Sequence, residues 1–400
     1  MTMRNIFKMM TAVIVTIFSL SGCQNNDTTA KYIFLFIGDG MGATHVATTE
    51  SYLSHKAGKL GGEQLLMTQF PYYGMATTHS ANANVTCSSA AGTAIACGHK
   101  ANNGTVGINK DSIEIESVAY TLKDEGYRIG IMSTVPINHA TPASFYAHNV
   151  NRSDYYGISS DIIDSGFDFF GGAGFIDYKG KDGNLEPTDA ILERNGYTVS
   201  YGAEEFRKES AGKDKAIFCQ ASNRNESADN YVSDGTVEAD ATMAEMLELA
   251  LEFLGDEDPF FIMGEGGAID WAAHDNRTMS MIENVLDLDG AVKVAYEFYK
   301  KHPEETLIVI TADHETGGLT LGCGSSIIEW ETLENQWIES GKKNILDYDA
   351  NRQLNKRCSI GWTTGSHTGG AVPVYAIGAG AERFGGRMDN TDFKGKILGE

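Results

Sequence analysis

The stretch KYIFLFIGDGMG, residues 31–42, decides the fold class. Residues 31–37 are a short apolar run, which predicts a strand buried on both faces. The run ends at Gly38, and a glycine-dense loop follows that carries one carboxylate, Asp39. Strands of this kind are typical of parallel sheets, in which ligands gather at the carboxyl ends of the strands. The stretch therefore predicts an α/β protein with Asp39 at the ligand-binding edge of its sheet.

Five further apolar runs have the length of strands, and helical patterns lie between them. This alternation predicts an α/β fold with a large, mostly parallel central sheet and helices on both faces. The predicted strands span residues 73–78, 128–134, 259–264, 306–311 and 372–377, and the predicted helices span residues 115–125, 237–254 and 279–302.

Two regions are less regular. In residues 153–236, the glycines at 171–174 predict a tight turn. Residues 324–357 are polar and are interpreted as a surface insertion, with a lid or an interface as the alternatives. Neither region reads as a clear linker, so residues 31–400 are predicted to form a single domain.

The composition excludes one class of partner. The chain has 400 residues and a formal net charge of −23. A surface that binds nucleic acid needs clustered Lys and Arg, so no nucleic-acid binding is expected. A small phosphate-bearing substrate stays compatible with this charge, because bound cations reverse the field locally.

The N-terminus has the pattern of an export signal. Basic residues precede an apolar run at residues 9–20, which is too short to span a bilayer comfortably. The run ends in Leu-Ser-Gly-Cys23, which resembles the lipobox of bacterial lipoproteins. We predict a signal peptide at residues 1–22, lipidation of Cys23 and a polar tether at residues 23–30, so that the protein is exported as a periplasmic or cell-surface lipoprotein. A secretory signal without lipid is the alternative.

The candidate nucleophile lies in NVTCSSAAGTAIACGHKANNG, residues 84–104. Ser88 and Ser89 begin a run of small residues that predicts a closely packed helix. The N-terminus of a helix offers free N–H groups and a positive dipole end, which favour an anion such as phosphate. An ordinary serine-capped core helix is the alternative on this stretch alone.

Ligand-type side chains follow several of the predicted strands and are flanked by glycines, as expected where backbone approaches an ion closely. Asp270 and His274 are four residues apart, so on a helical turn they share a face and can hold one ion. Mixed imidazole and carboxylate ligands suit zinc, and oxygen-rich sets suit magnesium. The whole pattern predicts a multi-metal site. Its candidate ligands are Asp39, Glu265, Asp270, His274, Asp313, His314 and His367.

Such a site indicates a displacement at phosphorus. Two divalent ions about 4 Å apart can activate an attacking oxygen and stabilise a leaving oxygen. Ser88 is the candidate attacking group, ionised by a metal rather than by a histidine base. Arg152 is the candidate for a bidentate grip on the nonbridging oxygens of the phosphoryl group.

The sequence resembles the bacterial alkaline phosphatases over nearly its whole length from Asp39 onward. The motifs that carry the resemblance are, in chain order, IGDGMG, SSAAGTA, HATPASFYAHNVNR, GEGGAIDWAAH, TADHETGG and SHTGG. The resemblance implies a single α/β domain that hydrolyses small phosphate monoesters through a phosphoserine. It also implies two Zn2+ and one Mg2+ as cofactors and an assembly that is often a homodimer.

The resemblance further implies a role for each matching residue. Ser88 matches the phosphorylated nucleophile, and Arg152 matches the phosphate clamp. The implied ligands are Asp270, His274 and His367 for the zinc that holds the leaving oxygen, Asp313 and His314 for the zinc that activates the serine, Asp39 shared between that zinc and magnesium, and Thr141 and Glu265 for magnesium.

The environment of the site departs from the family at three positions. Cys87 stands where the family usually has an Asp that helps to position the arginine, which predicts a more mobile Arg152 and looser phosphate binding. His139 and Trp271 stand where the best-known bacterial members have Asp and Lys. Because imidazole prefers zinc, His139 predicts a shift of the third site from magnesium toward zinc.

Several alternatives stay open from the sequence. Ser89 stands where Ala is usual and is the second candidate nucleophile, although the spacing to Gly98 favours Ser88. The nearest rival functions are a phosphodiesterase and a sulfatase of the same superfamily, and the sulfatase is disfavoured because neither Cys87 nor Ser88 has an Arg four residues on. A lipid-anchored metal- or phosphate-binding protein without turnover is the rival from another class.

Overall fold

The apolar run that decides the fold class forms a central strand of the sheet. The structure is a computed structural model that describes residues 29–224, 226, 228, 240–342 and 345–400. The predicted signal peptide and Cys23 lie outside the described residues. Within the described ranges, no helix combines the length and the apolarity that a bilayer span requires.

All six predicted strands are present, and their ends agree with the prediction to within two residues. The strands are β1 (Tyr32–Gly38), β2 (Tyr72–Thr77), β3 (Arg128–Ser133), β4 (Phe169–Gly172), β5 (Thr198–Tyr201), β6 (Ala216–Cys219), β7 (Phe260–Gly266), β8 (Thr306–Thr311), β9 (Glu315–Thr316), β10 (Leu319–Leu321), β11 (Ile360–Trp362), β12 (His367–Thr368), β13 (Val372–Gly378) and β14 (Gly386–Asp389).

In the part of the chain that the structure describes, ten strands form one sheet in the order β14-β2-β13-β8-β1-β7-β3-β4-β6-β5. Strand β13 is antiparallel to both of its neighbours, and the remaining pairs in the sheet are parallel. Strand β1 is buried along its whole length, as its continuous apolar sequence predicts. The predicted α/β fold with a large, mostly parallel sheet is confirmed.

Helices cover the sheet. The helices are α1 (Ala43–Lys56), α2 (Ser88–Cys97), α3 (Val118–Asp124), α4 (Ala140–Ala143), α5 (Tyr155–Ser165), α6 (Thr188–Arg194), α7 (Ala203–Glu209), α8 (Met243–Leu254), α9 (Ala268–His274), α10 (Thr278–Tyr299), α11 (Trp330–Glu339), α12 (Tyr348–Arg357) and α13 (Asp392–Leu398). Helices α8 and α10 pack together against the central strands, while α2, α3, α4 and α13 form a second packed group. The predicted helices at 115–125 and 279–302 are confirmed with shorter bounds, and so is the described part of the helix predicted at 237–254.

The tight turn predicted at the glycines of residues 171–174 is wrong. Gly171 and Gly172 end β4, which is one of three strands in a region for which the sequence predicted no strand. A Cβ atom on Gly172 would lie 2.8 Å from Ile137 Cγ1 and 2.9 Å from the Val135 carbonyl oxygen. The glycine is therefore required because another segment passes close to β4, not because the chain turns.

The segment interpreted as a surface insertion carries α11 and α12 and packs on the rest of the fold. Asn355 accepts a hydrogen bond from Thr278 Oγ1 at 2.7 Å, and Trp330 and Trp337 are buried. The ring of Tyr348 approaches to 2.8 Å from the position that a Cβ atom on Gly365 would occupy. The segment therefore supports the loop that leads to His367.

Candidate active site

The site lies at the carboxyl ends of the neighbouring parallel strands β8, β1, β7 and β3. Ile37 of β1 is in register with Thr311 of β8 and with Glu265 of β7, so the strand ends are level. Asp39 directly follows β1, and Asp313 and His314 follow β8 within three residues. Candidate ligands that are far apart in the sequence therefore meet at one edge of the sheet.

The loop after β1 needs glycine for two reasons. Gly40 has φ +70°, a conformation that residues with a side chain rarely adopt. A Cβ atom on Gly40 would lie 2.8 Å from Thr316 Oγ1 and 2.9 Å from Asp270 Oδ1. Its backbone N–H donates to Asp313 Oδ1 at 3.1 Å. The glycine therefore lets the Asp39 loop pack against two other ligand-bearing segments.

Candidate ligand atoms converge in three groups, and within each group the atoms lie within 4.8 Å of one another. His314 belongs to two of the groups, and Asp39 also belongs to two, so the groups are contiguous. The groups are Asp270 with His314 and His367, Asp39 with Asp313 and His314, and Asp39 with His139 and Glu265.

Helix α9 holds Asp270, a member of the first group, on one face with His274, which lies beside that group, as their spacing predicts. Asp270 Oδ2 lies 3.2 Å from His274 Nε2, and His274 Nε2 lies 3.2 Å from His367 Nε2. His274 Nδ1 is 2.7 Å from the Gly365 carbonyl oxygen, and His367 Nδ1 is 2.9 Å from that of Thr86. With a proton on each Nδ1, both Nε2 atoms present a lone pair to the centre of the group.

The second group contains the candidate nucleophile. His314 Nε2 lies 3.3 Å from Asp39 Oδ1 and 3.3 Å from Asp313 Oδ2. The same nitrogen lies 3.3 Å from Ser88 Oγ. Asp39, Asp313 and His314 are fully buried, and Ser88 is buried at the start of α2. The serine hydroxyl therefore adjoins the point at which the first two groups meet.

The third group lies between β7 and the start of α4. Glu265 pairs in register with Ser133 of β3, whose hydroxyl donates to Glu265 Oε2. Among the described residues, Glu265 Oε1, Thr141 Oγ1 and His139 Nδ1 have no hydrogen-bond partner although they are buried. From the sequence, His139 is predicted to lie in the surroundings of this site. In the structure its ring belongs to the ligand group itself.

The carboxylates of the site are unfavourably placed without counter-charge. Burial and the neighbouring Asp313 and Asp270 raise the pKa of Asp39 well above its ordinary value. Burial likewise raises the pKa of Glu265 and that of Asp313. Within the described residues, both Asp39 oxygens and Asp313 Oδ2 lack a hydrogen-bond donor. Because unpaired buried oxygen atoms are costly, this arrangement fits bound cations.

Three of the four histidines at the site favour the neutral form that metal ligation needs. Burial lowers the pKa of His314 and that of His367 to about 4. Burial, followed by the charge of Arg152, lowers the pKa of His139 to about 3. His274 differs, because its hydrogen bond with Asp270 raises its pKa to about 9. Neutral imidazoles beside buried carboxylates are a donor set that zinc prefers.

Helix α2 aims Ser88 at the metal-ligand groups and turns Ser89 away. Ser89 Oγ lies 3.3 Å from Cys87 Sγ, and Ser89 is fully buried. A Cβ atom on Gly92 would lie 2.8 Å from Ser144 Oγ, so the glycine allows α2 to pack closely on the end of α4. Close packing of α2 therefore explains the run of small residues. The first residue of the run, Ser88, is explained by its place beside the ligand groups.

Cys87 caps the N-terminus of α2, and its thiol is surrounded by donors. The N–H of Gly104 donates to Cys87 Sγ at 3.2 Å. Burial disfavours the thiolate, but the hydrogen bonds from Ser89 and from the backbone of Ala90 outweigh burial and lower the pKa of Cys87. The charge of Arg152 acts in the same direction.

Arg152 and Trp271 lie at the rim of the site and are both half-buried. The N–H of Arg152 donates to the Gly104 carbonyl oxygen at 2.8 Å, which brings the arginine to the start of α2. Within the residues that the structure describes, its guanidinium group has no hydrogen-bond partner. Trp271 packs edge-on against the ring of His139, with centroids 5.7 Å apart.

Thr316 is a functional residue that the sequence analysis missed. Its hydroxyl donates to Asp270 Oδ1 at 2.6 Å and lies 3.2 Å from His314 Nδ1. It therefore orients one ligand from each of the first two groups. The only signal in the sequence is a hydroxyl two residues beyond His314, in the loop that follows the strand predicted at residues 306–311.

Comparison with known proteins agrees with this geometry. A family model described as alkaline phosphatase matches residues 30–166 and 225–398. Alkaline phosphatase 3 of Bacillus subtilis is 30% identical over 433 residues, which cover 94% of this chain and 90% of that protein.

Similarity to solved structures spans the whole fold. Alkaline phosphatase from the Antarctic bacterium TAB5 is 32% identical with a TM-score of 0.74, and the match covers 93% of this chain and 97% of that one. A His-to-Asp mutant of the TAB5 enzyme, with Mg bound in its M3 site, is 31% identical with a TM-score of 0.73 and the same coverage. The chain belongs to the alkaline phosphatase family of phosphoric monoester hydrolases.

Proposed function

We propose that this chain hydrolyses phosphate monoesters in two steps through a phosphoserine at Ser88. In the first step Ser88 Oγ attacks phosphorus and the alcohol leaves. In the second step water attacks the phosphoserine, which releases inorganic phosphate and restores the hydroxyl. The observation that carries the proposal is the contact of Ser88 Oγ with His314 Nε2 at 3.3 Å, because His314 belongs to two ligand groups.

We assign the cofactors from the chemistry of the ligands. We assign one Zn2+ to Asp270, His274 and His367 and a second to Asp39, Asp313 and His314, because each set combines imidazole with carboxylate. One Mg2+ fits Asp39, Thr141 and Glu265, as the Mg in the M3 site of the TAB5 mutant supports. Divalent cations in such sites supply the positive charge that ionises a hydroxyl and stabilises a leaving oxygen. His139 adds an imidazole to the third group, so zinc in that site is the alternative.

The other residues at the rim act on the phosphoryl group. The free N–H groups at the start of α2 point toward an anion bound beside Ser88. Arg152 grips two nonbridging oxygens through its guanidinium fork, which suits a monoester with three free oxygens. Cys87 and Trp271 shape the surroundings of that anion and take no part in bond making.

Substitution of the nucleophile tests the proposal. S88A is expected to lower hydrolysis of a phosphate monoester by about 10³-fold or more while the protein keeps its metals, as measured by elemental analysis. S89A is the matched control, since Ser89 faces away from the ligand groups. After an acid quench, mass spectrometry of wild type and S89A should find phosphate on Ser88. Full activity in S88A, or a strong preference of wild type for a bis-ester, would overturn the proposal.

We also propose that the protein is exported and anchored to a membrane through lipid on Cys23, with residues 31–400 as its catalytic domain and a homodimer as its assembly. The pattern of residues 1–23 supports the anchor, and the resemblance to a family that is often dimeric supports the assembly. Fatty-acid labelling that C23S abolishes tests the anchor. Light scattering of the purified catalytic domain tests the dimer, and a monomeric mass would contradict it.

A further inference from the structure

Glu315 lies beside the metal-ligand groups without belonging to any of them. It follows His314 directly and forms β9 together with Thr316. Strand β9 is antiparallel to β12, which brings Glu315 opposite Thr368 and Thr316 opposite His367. The two paired strands therefore carry ligands from two different segments of the chain.

The Glu315 carboxylate is almost fully buried, and it is saturated with donors. Its Oε1 accepts hydrogen bonds from the N–H of Gly318 at 2.9 Å and from that of Leu319 at 3.3 Å. Its Oε2 accepts a hydrogen bond from the hydroxyl of Thr368. Thr368 is the neighbour of His367, so this bond fixes the His367 strand against the His314 segment.

The same side chain also touches the Asp39 loop. A Cβ atom on Gly42 would lie 2.3 Å from Glu315 Cγ, so Glu315 fills the space that a side chain at position 42 would need. Glu315 Oε1 lies 3.9 Å from Nδ1 of His45, and this nitrogen accepts the N–H of Gly42 at 3.1 Å. Glu315 thus contacts the segments that carry Asp39, His314 and His367.

We propose that Glu315 is a positioning residue that holds these three ligand-bearing segments in register, and so sets the affinity of the site for zinc. The proposal rests on the metal assignment made above. Outer-shell partners of metal ligands commonly change metal affinity by about 10- to 100-fold when they are removed. Glu315 acts through the backbone and through Thr368, because it belongs to none of the three ligand groups and its hydrogen bonds run to Gly318, Leu319 and Thr368.

Zinc affinity measured against a competing chelator tests the proposal. E315A is expected to bind zinc about tenfold or more weakly than wild type, and higher free zinc should restore its turnover. E315Q keeps an acceptor for the backbone N–H groups and is expected to fall between the two. The matched control is D289A, because Asp289 also accepts two backbone N–H groups, those of Leu66 and Met67, and belongs to none of the three ligand groups.

The melting temperature separates positioning from general stability. D289A should lower the melting temperature by the same amount with and without zinc. E315A should instead reduce the increase in melting temperature that zinc produces. If E315A does not fold, T368V breaks the link between Glu315 and the His367 strand, together with a long hydrogen bond from the Gly370 N–H at 3.4 Å, and should still weaken zinc binding. If E315A and T368V both bind zinc as tightly as wild type, the proposed role of Glu315 is overturned and the metal assignment is not affected. A wild-type protein that binds no zinc would overturn the proposed metal assignment as well.

Discussion

Cys87 gives this site a reactive group beside its nucleophile. A thiol whose pKa is lowered, and which is only partly buried, has the properties of a nucleophilic cysteine. The thiols of Cys97 and Cys219 are fully enclosed, and burial raises the pKa of Cys97 to about 12. Among the described cysteines, only Cys87 combines access with a lowered pKa.

Iodoacetamide is therefore expected to alkylate Cys87 and to abolish most of the phosphatase activity, since the adduct would lie next to Ser88 and the N–H of Gly104. The loss of activity over time should parallel the alkylation of the Cys87 peptide measured by mass spectrometry. Inorganic phosphate should slow both the alkylation and the loss of activity. Cys323 is exposed and is also expected to react with iodoacetamide. C323A is therefore the control, and iodoacetamide should still abolish most of its phosphatase activity. An alkylated Cys87 with unchanged turnover would contradict this prediction.

The sequence predicted the residues of the site better than the contacts that support them. Asp39 and Asp313 can be found because each lies within two residues of the end of a strand that an apolar run reveals. Thr316 and Glu315 cannot be found in that way, since their roles depend on the pairing of β9 with β12. These strands have two residues each and lie about fifty residues apart, so no local sequence pattern predicts their pairing.

At the scale of the elements, strand length decided what could be predicted. Strands β1 and β7 have seven residues each, and both are buried along their whole length. Strands β4, β5 and β6 have four residues each. Four residues are too few to show a period, and the two glycines at the end of β4 resemble a turn. The outer part of the sheet was missed for this reason.

Helix α8 offers a pH test at this scale. Its first N–H, that of Met243, donates to Asp287 Oδ1 at 3.1 Å. Burial raises the pKa of Asp287 to about 6, above the ordinary value that it has in the unfolded chain. Between these two values the folded state binds more protons than the unfolded state, so rising pH lowers the free energy of unfolding.

D287N keeps an acceptor for the Met243 N–H but cannot ionise. Relative to wild type, its free energy of unfolding is expected to rise from pH 4 to pH 6, by up to about 3 kcal/mol, and then to level off. Urea titrations with chelator present measure this difference without a contribution from metals. D258N changes an exposed carboxylate and should show little of the effect. A difference between D287N and wild type that does not change with pH would contradict the prediction.

For the whole molecule, bound cations and the fold stabilise each other. Without cations, Asp39, Asp313 and Glu265 stay buried close together with several oxygens unpaired. Ions that bind only the folded state add about 4 kcal/mol at a thousandfold excess over their dissociation constant. Chelation is therefore expected to lower the melting temperature by about 5 °C for each ion that is removed, as calorimetry would measure.

Zinc should reverse that shift, and magnesium added alone should restore only part of it, because each of the three ligand groups contains an imidazole, which zinc binds better than magnesium does. The control is a chelator already saturated with zinc, which should leave the transition unchanged. Equal melting temperatures for the chelated and the zinc-loaded protein would contradict the prediction.

Strand β1 is the first strand of the chain to be synthesised, yet both of its neighbours come from the second half. Its partners, β7 and β8, begin at Phe260 and Thr306. The centre of the sheet therefore cannot close until more than three hundred residues have been made, and loop closure over such separations is slow. The order of the strands thus delays folding, and with it metal capture, until synthesis is nearly complete.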